Sequence, residues 1–114
     1  MSQPKPVQVI VYLGDEIFPG TSTNFGPSGM LVLMDQPPML GEKVKLKIRF
    51  PETQNAVEVE GEVVWTNPFG GTDPAVPKGC GIKFDKLSHD LQSLFSTMAF
   101  RYHPQGDPLK FFYS

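Results

Sequence analysis

Two neighbouring stretches constrain this chain more than anything else in it. In Val44-Lys-Leu-Lys-Ile-Arg-Phe50 every second residue is apolar, and the residues between are all cationic. In Val57-Glu-Val-Glu-Gly-Glu-Val63 the same alternation returns with glutamate on the polar face. A period of two is the signature of a half-buried strand. The polar segment 51–56 between them has hairpin length. With Phe50 set opposite Val57, Arg49 faces Glu58, Lys47 faces Glu60 and Lys45 faces Glu62. Ile48 then stacks on Val59, and Leu46 lies over Gly61. Each charge pair adds about 0.2–1 kcal/mol. A slip of one residue would invert both faces, so the two faces choose one register together.

The rest of the chain is cut into short pieces by 12 prolines and 11 glycines, which suits an all-β domain. Val7–Leu13 alternates loosely and reads as a first strand. Residues 15–23, with Pro19-Gly20 inside, read as a connection. Met30–Met34 is apolar at every position, as a strand covered on both faces is. The charged hairpin follows, with Trp65 continuing its inward face. Residues 67–78 form a long loop rich in breakers. Gly79–Phe84 alternates again, with Cys80, Ile82 and Phe84 inward. Ser88 is placed to cap a helix, Asp90 suits its positive end, and Leu91, Leu94, Phe95, Met98 and Tyr102 recur at helical spacing. Arg101 and His103 lie near its end and Pro104 closes it. The expected architecture is all-β, a six-stranded antiparallel β-barrel, with one C-terminal α-helix whose apolar stripe covers an open end of the barrel. Residues 1–6 read as a flexible N-terminus, 7–103 as barrel plus helix, and 104–114 as a tail.

Composition removes several functions. At 114 residues the chain fits one domain with its own core. The lone Cys80 forms no internal disulfide, and no Cys/His cluster has zinc spacing. No signal-peptide pattern is present, and no apolar run approaches the ~20 residues of a membrane helix, so a cytoplasmic protein without membrane insertion is expected. Ten basic and 12 acidic side chains leave a net charge of −2. A nucleic-acid partner calls for a basic surplus, and Glu58, Glu60 and Glu62 cancel the Lys45/Lys47/Arg49 stripe. His89 and His103 have no metal or triad partner at motif spacing, and no P-loop, nucleophile elbow or dinucleotide fingerprint occurs. The reading is non-enzymatic, with no metal and no resident cofactor.

The stretch Thr23-Asn-Phe-Gly-Pro-Ser-Gly-Met30 resembles the second signature of PilZ domains, [Asp/Asn]-x-Ser-x-x-Gly. The likeness continues through Leu40-Gly-Glu-Lys-Val-Lys-Leu46, Val59-Glu-Gly-Glu-Val-Val-Trp65 and Gly79-Cys-Gly-Ile-Lys-Phe84, over roughly residues 22–100. In particular it looks like the stand-alone PilZ proteins linked to type IV pili and gliding motility. The resemblance implies a bacterial six-stranded barrel that receives cyclic di-GMP and passes the signal to a protein partner. Asn24 and Gly29 carry over onto the signature, while Gly26 stands where the Ser belongs. The family's first signature, Arg-x-x-x-Arg, has no counterpart, because the two arginines, Arg49 and Arg101, both follow Asn24. The implied function is an adaptor in a cyclic di-GMP or motility pathway that acts through protein–protein contacts. The alternative is a weak cyclic di-GMP receptor working through Asn24, Gly26 and Gly29. Those residues equally suit a plain tight turn.

Two places are candidates for a protein partner. Phe69, flanked by Gly70-Gly71, can present an anchor from the long loop. Phe111, Phe112 and Tyr113 are costly to leave in water, so they pack on the barrel or dock on another chain.

Overall fold

The structure is a computed structural model that describes residues 7–50, 55–69 and 78–102. Its elements in chain order are β1 (Val7–Leu13), β2 (Glu16–Phe25), β3 (Gly29–Leu33), β4 (Lys43–Arg49), β5 (Val57–Asn67), β6 (Gly79–Phe84) and α1 (His89–Tyr102). The strands close in the order β1-β2-β3-β6-β5-β4, each pair antiparallel, so the ring has no free sheet edge between first and last strand. The six-stranded barrel with a C-terminal helix is therefore the observed fold.

The alternation read in the sequence fills the interior. Val7, Val9 and Val11 of β1 are buried, as are Val44, Leu46 and Ile48 of β4, Val59 and Val63 of β5, and Cys80 and Ile82 of β6. One mouth of the barrel is shut by rings. Phe95 of α1 sits 4.9 Å from Phe84, 5.8 Å from Phe50 and 6.5 Å from Phe25, measured between centroids. Tilted and edge-on pairs at such distances add to the burial of large apolar area. The expected helix thus finds the expected surface. Its cap is as read: the Leu91 N–H donates to Ser88 Oγ at 3.2 Å.

Three sequence expectations change. The segment read as a connection is mostly the ten-residue strand β2, paired along its first half with β1 alone, because pairing with β3 starts at Thr21. Pro19 lies on that singly paired half, where a missing N–H is tolerated. The Pro-Gly pair looked like a turn for reasons that hold only when no neighbour straightens the backbone.

The charged hairpin keeps its faces and shifts its register by two. Ile48, not Phe50, lies opposite Val57, so Lys47 meets Glu58, Lys45 meets Glu60 and Lys43 meets Glu62. Arg49 lies beside Gln8 of β1 instead of Glu58. Alternation is blind to even shifts. The deciding contacts lie outside the pair: the Gly41 N–H donates to Val63 O at 2.8 Å, and the Val63 N–H to Glu42 O at 2.9 Å. The same shift frees Phe50 from the ladder to join the aromatic cluster, where it is fully buried.

Trp65 does not continue the inward face. A bulge between Val63 and Trp65 inserts one residue, so Trp65 lies opposite Gly81 on the outer side and is half-buried.

Candidate functional site

The signature-like turn is a two-residue connection. Phe25 pairs with Met30, and the Gly26 N–H donates to Gly29 O at 2.9 Å, leaving Pro27 and Ser28 as the loop. The turn is anchored on its far side, where the Phe84 N–H donates to Ser28 O at 2.9 Å. Gly26 and Gly29 are buried, Asn24 and Ser28 are half-buried, and Pro27 is exposed. Asn24, Gly26 and Gly29 are thus brought together at the helix-capped mouth, and Phe25 between them points into the aromatic cluster.

One residue of this site escaped the sequence reading. Between Thr21 and Asn24 the β2–β3 register slips by a residue, and Ser22 sits at that bulge, fully buried. Its hydroxyl donates to Asn24 O at 3.0 Å and accepts from the Asn24 N–H at 3.3 Å. A buried polar side chain needs such partners. Here both come from Asn24, so Ser22 fixes the backbone that presents it. The only available signal was a small polar residue two positions ahead of the signature.

Among the cations, Lys83 of β6 stands opposite Gly29 of the turn, whereas Arg49 lies elsewhere. Gln8 pairs with Thr21 on one side and Arg49 on the other, so exposed Arg49 is two strands from β2, roughly 10 Å across the outer face. Lys43 is exposed and forks between Glu62 at 3.4 Å and Asp85 at 3.3 Å. The Asp85 hydrogen bond first, then that of Glu62, raises its pKa above the usual lysine value. Exposed pairs of this kind add little stability. Two surface hollows, of about 320 and 520 Å³, flank this Lys/Glu ladder, lined among others by Lys45, Glu60 and Asp85. Neither is lined by a residue of the turn.

Of the expected partner anchors, Phe69 is 87 % exposed. Phe111, Phe112 and Tyr113 lie outside the described residues. Among the described residues no helix is long and apolar enough to cross a membrane.

Residues 3–101 match the family described as the PilZ domain. The chain belongs to the PilZ family. No curated protein matches it. Among solved structures, this PilZ domain is similar to the Bacillus subtilis inhibitor of motility MotI/DgrA, with a TM-score of 0.64 and 20% sequence identity. The match covers 85% of this chain and 46% of that one, so the PilZ chain here spans just under half of that protein. At such identity the likeness carries the fold alone.

Proposed function

We propose that this PilZ domain is a non-enzymatic adaptor in a cyclic di-GMP pathway controlling bacterial motility, of the type IV pilus or gliding kind, and that it acts in the cytoplasm through contacts with a partner protein. The observation that carries the reading is a signature turn with no Arg-x-x-x-Arg ahead of it in the sequence. The chain has only two arginines, both after the turn in sequence, and Lys5 is the one basic residue ahead of it. Guanidinium groups fork onto phosphates and lie flat on guanine faces, which one lysine cannot do together. A charge-assisted hydrogen bond contributes about 1.5–3 kcal/mol and a desolvated cation–π contact about 2 or less, so two missing arginines remove roughly 4–8 kcal/mol, or about 10³–10⁶ in affinity. Membership of a family of receiver and adaptor domains supports the non-catalytic role. That the similarly folded MotI/DgrA is an inhibitor of motility supports the motility assignment.

A second reading keeps the turn as a weak nucleotide receptor, favoured by Asn24 and Gly29 standing at their signature positions on one ordered turn. Calorimetry with cyclic di-GMP separates the two. The adaptor reading expects no saturable heat with Kd tighter than about 10 µM. Saturable binding tighter than that, lost in Asn24→Ala, establishes the receptor instead.

A further inference from the structure

The barrel wall is closed, but β5 outruns one of its neighbours. β5 has 11 residues and β6 has six, and their pairing stops at Gly61↔Phe84. One more bond follows, from the Asp85 N–H to Glu60 O at 2.8 Å, and the chain then leaves for α1. Backbone groups along an antiparallel strand alternate in direction, so those of Glu58 point the same way as those of Glu60, toward the β6 side. The Val63 N–H, bonded to Glu42 O at 2.9 Å, sets the odd-numbered residues toward the β4 side. No register shift interrupts the β4–β5 ladder over this stretch. Glu58 therefore offers its N–H and C=O at an open edge, and among the described residues nothing bonds them.

The hollow of about 320 Å³ lies beside that edge, between β5 and the start of α1, walled by Glu58, Glu60, Asp85, Leu87 and Leu91 among others. Alternation dictates what it can receive. A strand laid along the edge sets one residue opposite Glu58, exchanging two hydrogen bonds with it, where β6 would have arrived two residues after Asp85. That residue's side chain shares the outer face with Glu58 and has Glu60 on its diagonal. Among the described residues neither glutamate has a cation within ion-pair distance, although Lys47 and Lys45 are their partners on β4. Lys45 and Lys86 also line the hollow, while Asp85 is engaged by Lys43. Four residues further along β5, the row Lys43–Glu62–Lys83 already places a glutamate between two lysines. A lysine or arginine opposite Glu58 repeats that row beyond Lys47. The residues flanking it turn to the other face, where Leu87 is buried and Val57 and Leu91 are core residues left half-covered. Apolar side chains complete that cover.

We propose that the β5 edge at Glu58 docks an extended partner segment of the pattern apolar–basic–apolar, which joins the sheet as a further strand. The inference rests on the adaptor reading and deepens it, giving the surface that captures the partner and the chemistry of the captured segment.

Heteronuclear NMR on the labelled full chain, titrated with the end-blocked peptide Thr-Val-Lys-Val-Thr, tests it. Saturable shifts should appear at Glu58, Val59 and Leu91, with a Kd of about 1 mM or tighter. The same peptide with glutamate for lysine should bind at least about fivefold more weakly. N-methylation of the lysine backbone nitrogen, which removes the donor to Glu58 O, should abolish binding. Glu58→Lys should reverse the preference, favouring the glutamate peptide with an unchanged circular dichroism spectrum, whereas a damaged fold would weaken both peptides. Absence of saturable shifts up to about 5 mM peptide, equal binding of the two peptides, or binding that survives N-methylation each overturns the proposal. Shifts at the same amides on concentrating the chain alone overturn it too, because they assign the edge to a second copy. Failure here is distinct from failure of the adaptor reading: a silent peptide strikes the edge alone, and calorimetry with cyclic di-GMP judges the reading separately.

Discussion

Replacing Gly61 with alanine sets two opposed effects against each other at a point where β5 and β6 approach closely. The added methyl, buried at the centre of the barrel wall, gains about 0.8 kcal/mol by leaving water. Lower backbone freedom in the unfolded chain gains a further ~0.4–1 kcal/mol. Against this, the new Cβ falls 2.6 Å from the Lys83 carbonyl oxygen and 2.7 Å from Ile82 Cγ2. The Ile82 methyl can rotate aside, but the carbonyl belongs to the strand paired with β5 through Gly61↔Phe84 and Glu62↔Lys83. Relief therefore moves backbone. Overpacking costs ~1–3 kcal/mol, and each weakened ladder bond adds about 1 kcal/mol. The cost wins, and Gly61→Ala should destabilise the domain by about 1–3 kcal/mol, lowering Tm by roughly 4–12 °C for a chain of this size. Urea unfolding followed by the fluorescence of Trp65 should show a lower midpoint with an unchanged slope. A midpoint equal to or above wild type would refute the claim that backbone, not side chain, sets the spacing of these two strands.

Phe95→Ala removes the ring that meets Phe25, Phe50 and Phe84, and should cost about 3–5 kcal/mol in thermal or urea unfolding; a loss below 1 kcal/mol would mean the cluster does not seat α1. Ser22→Ala strips both hydrogen bonds to Asn24 and should cost about 1–3 kcal/mol, with faster amide exchange at Asn24 by NMR. Unaltered exchange there would detach Ser22 from the turn. Burial pushes the Cys80 thiol from 9.0 up to about 12, so a disulfide reagent at pH 8 should modify it no faster than the domain unfolds. Because the unfolded thiol ionises first, stability should fall between pH 9 and 12, by up to about 1.4 kcal/mol per pH unit relative to Cys80→Ala. Immediate modification of the native protein would contradict the burial.

Local signals were legible where neighbouring residues alone decide the outcome. The Ser88 cap, the α1 stripe, the inward faces of β1, β4 and β6, and the Asn24–Gly29 turn all follow from residues close in sequence. The misses arise where a distant strand decides. β2 is extended through Pro19-Gly20 because β1 pairs with it, and the β4–β5 register is set by Gly41, Glu42 and Val63 as well as by the charges. Trp65 turned outward because one extra residue in β5 inverts the alternation, and no residue type announces a bulge. At the site, the turn could be read and its brace could not: Ser22 does its work by position, buried at a register slip that appears only when β2 and β3 are paired.

The order in which the ring is joined has a consequence for how the protein is made. β6 enters between β3 and β5 and is the last of the described strands to leave the ribosome. Until residue 84 emerges, the nascent chain can assemble only an open sheet running β3-β2-β1-β4-β5, with two unsatisfied flanks. Such flanks invite pairing with other nascent chains. Synthesis stalled before Gly79 should therefore yield an aggregating product, and the late strand is the step most worth protecting by a chaperone.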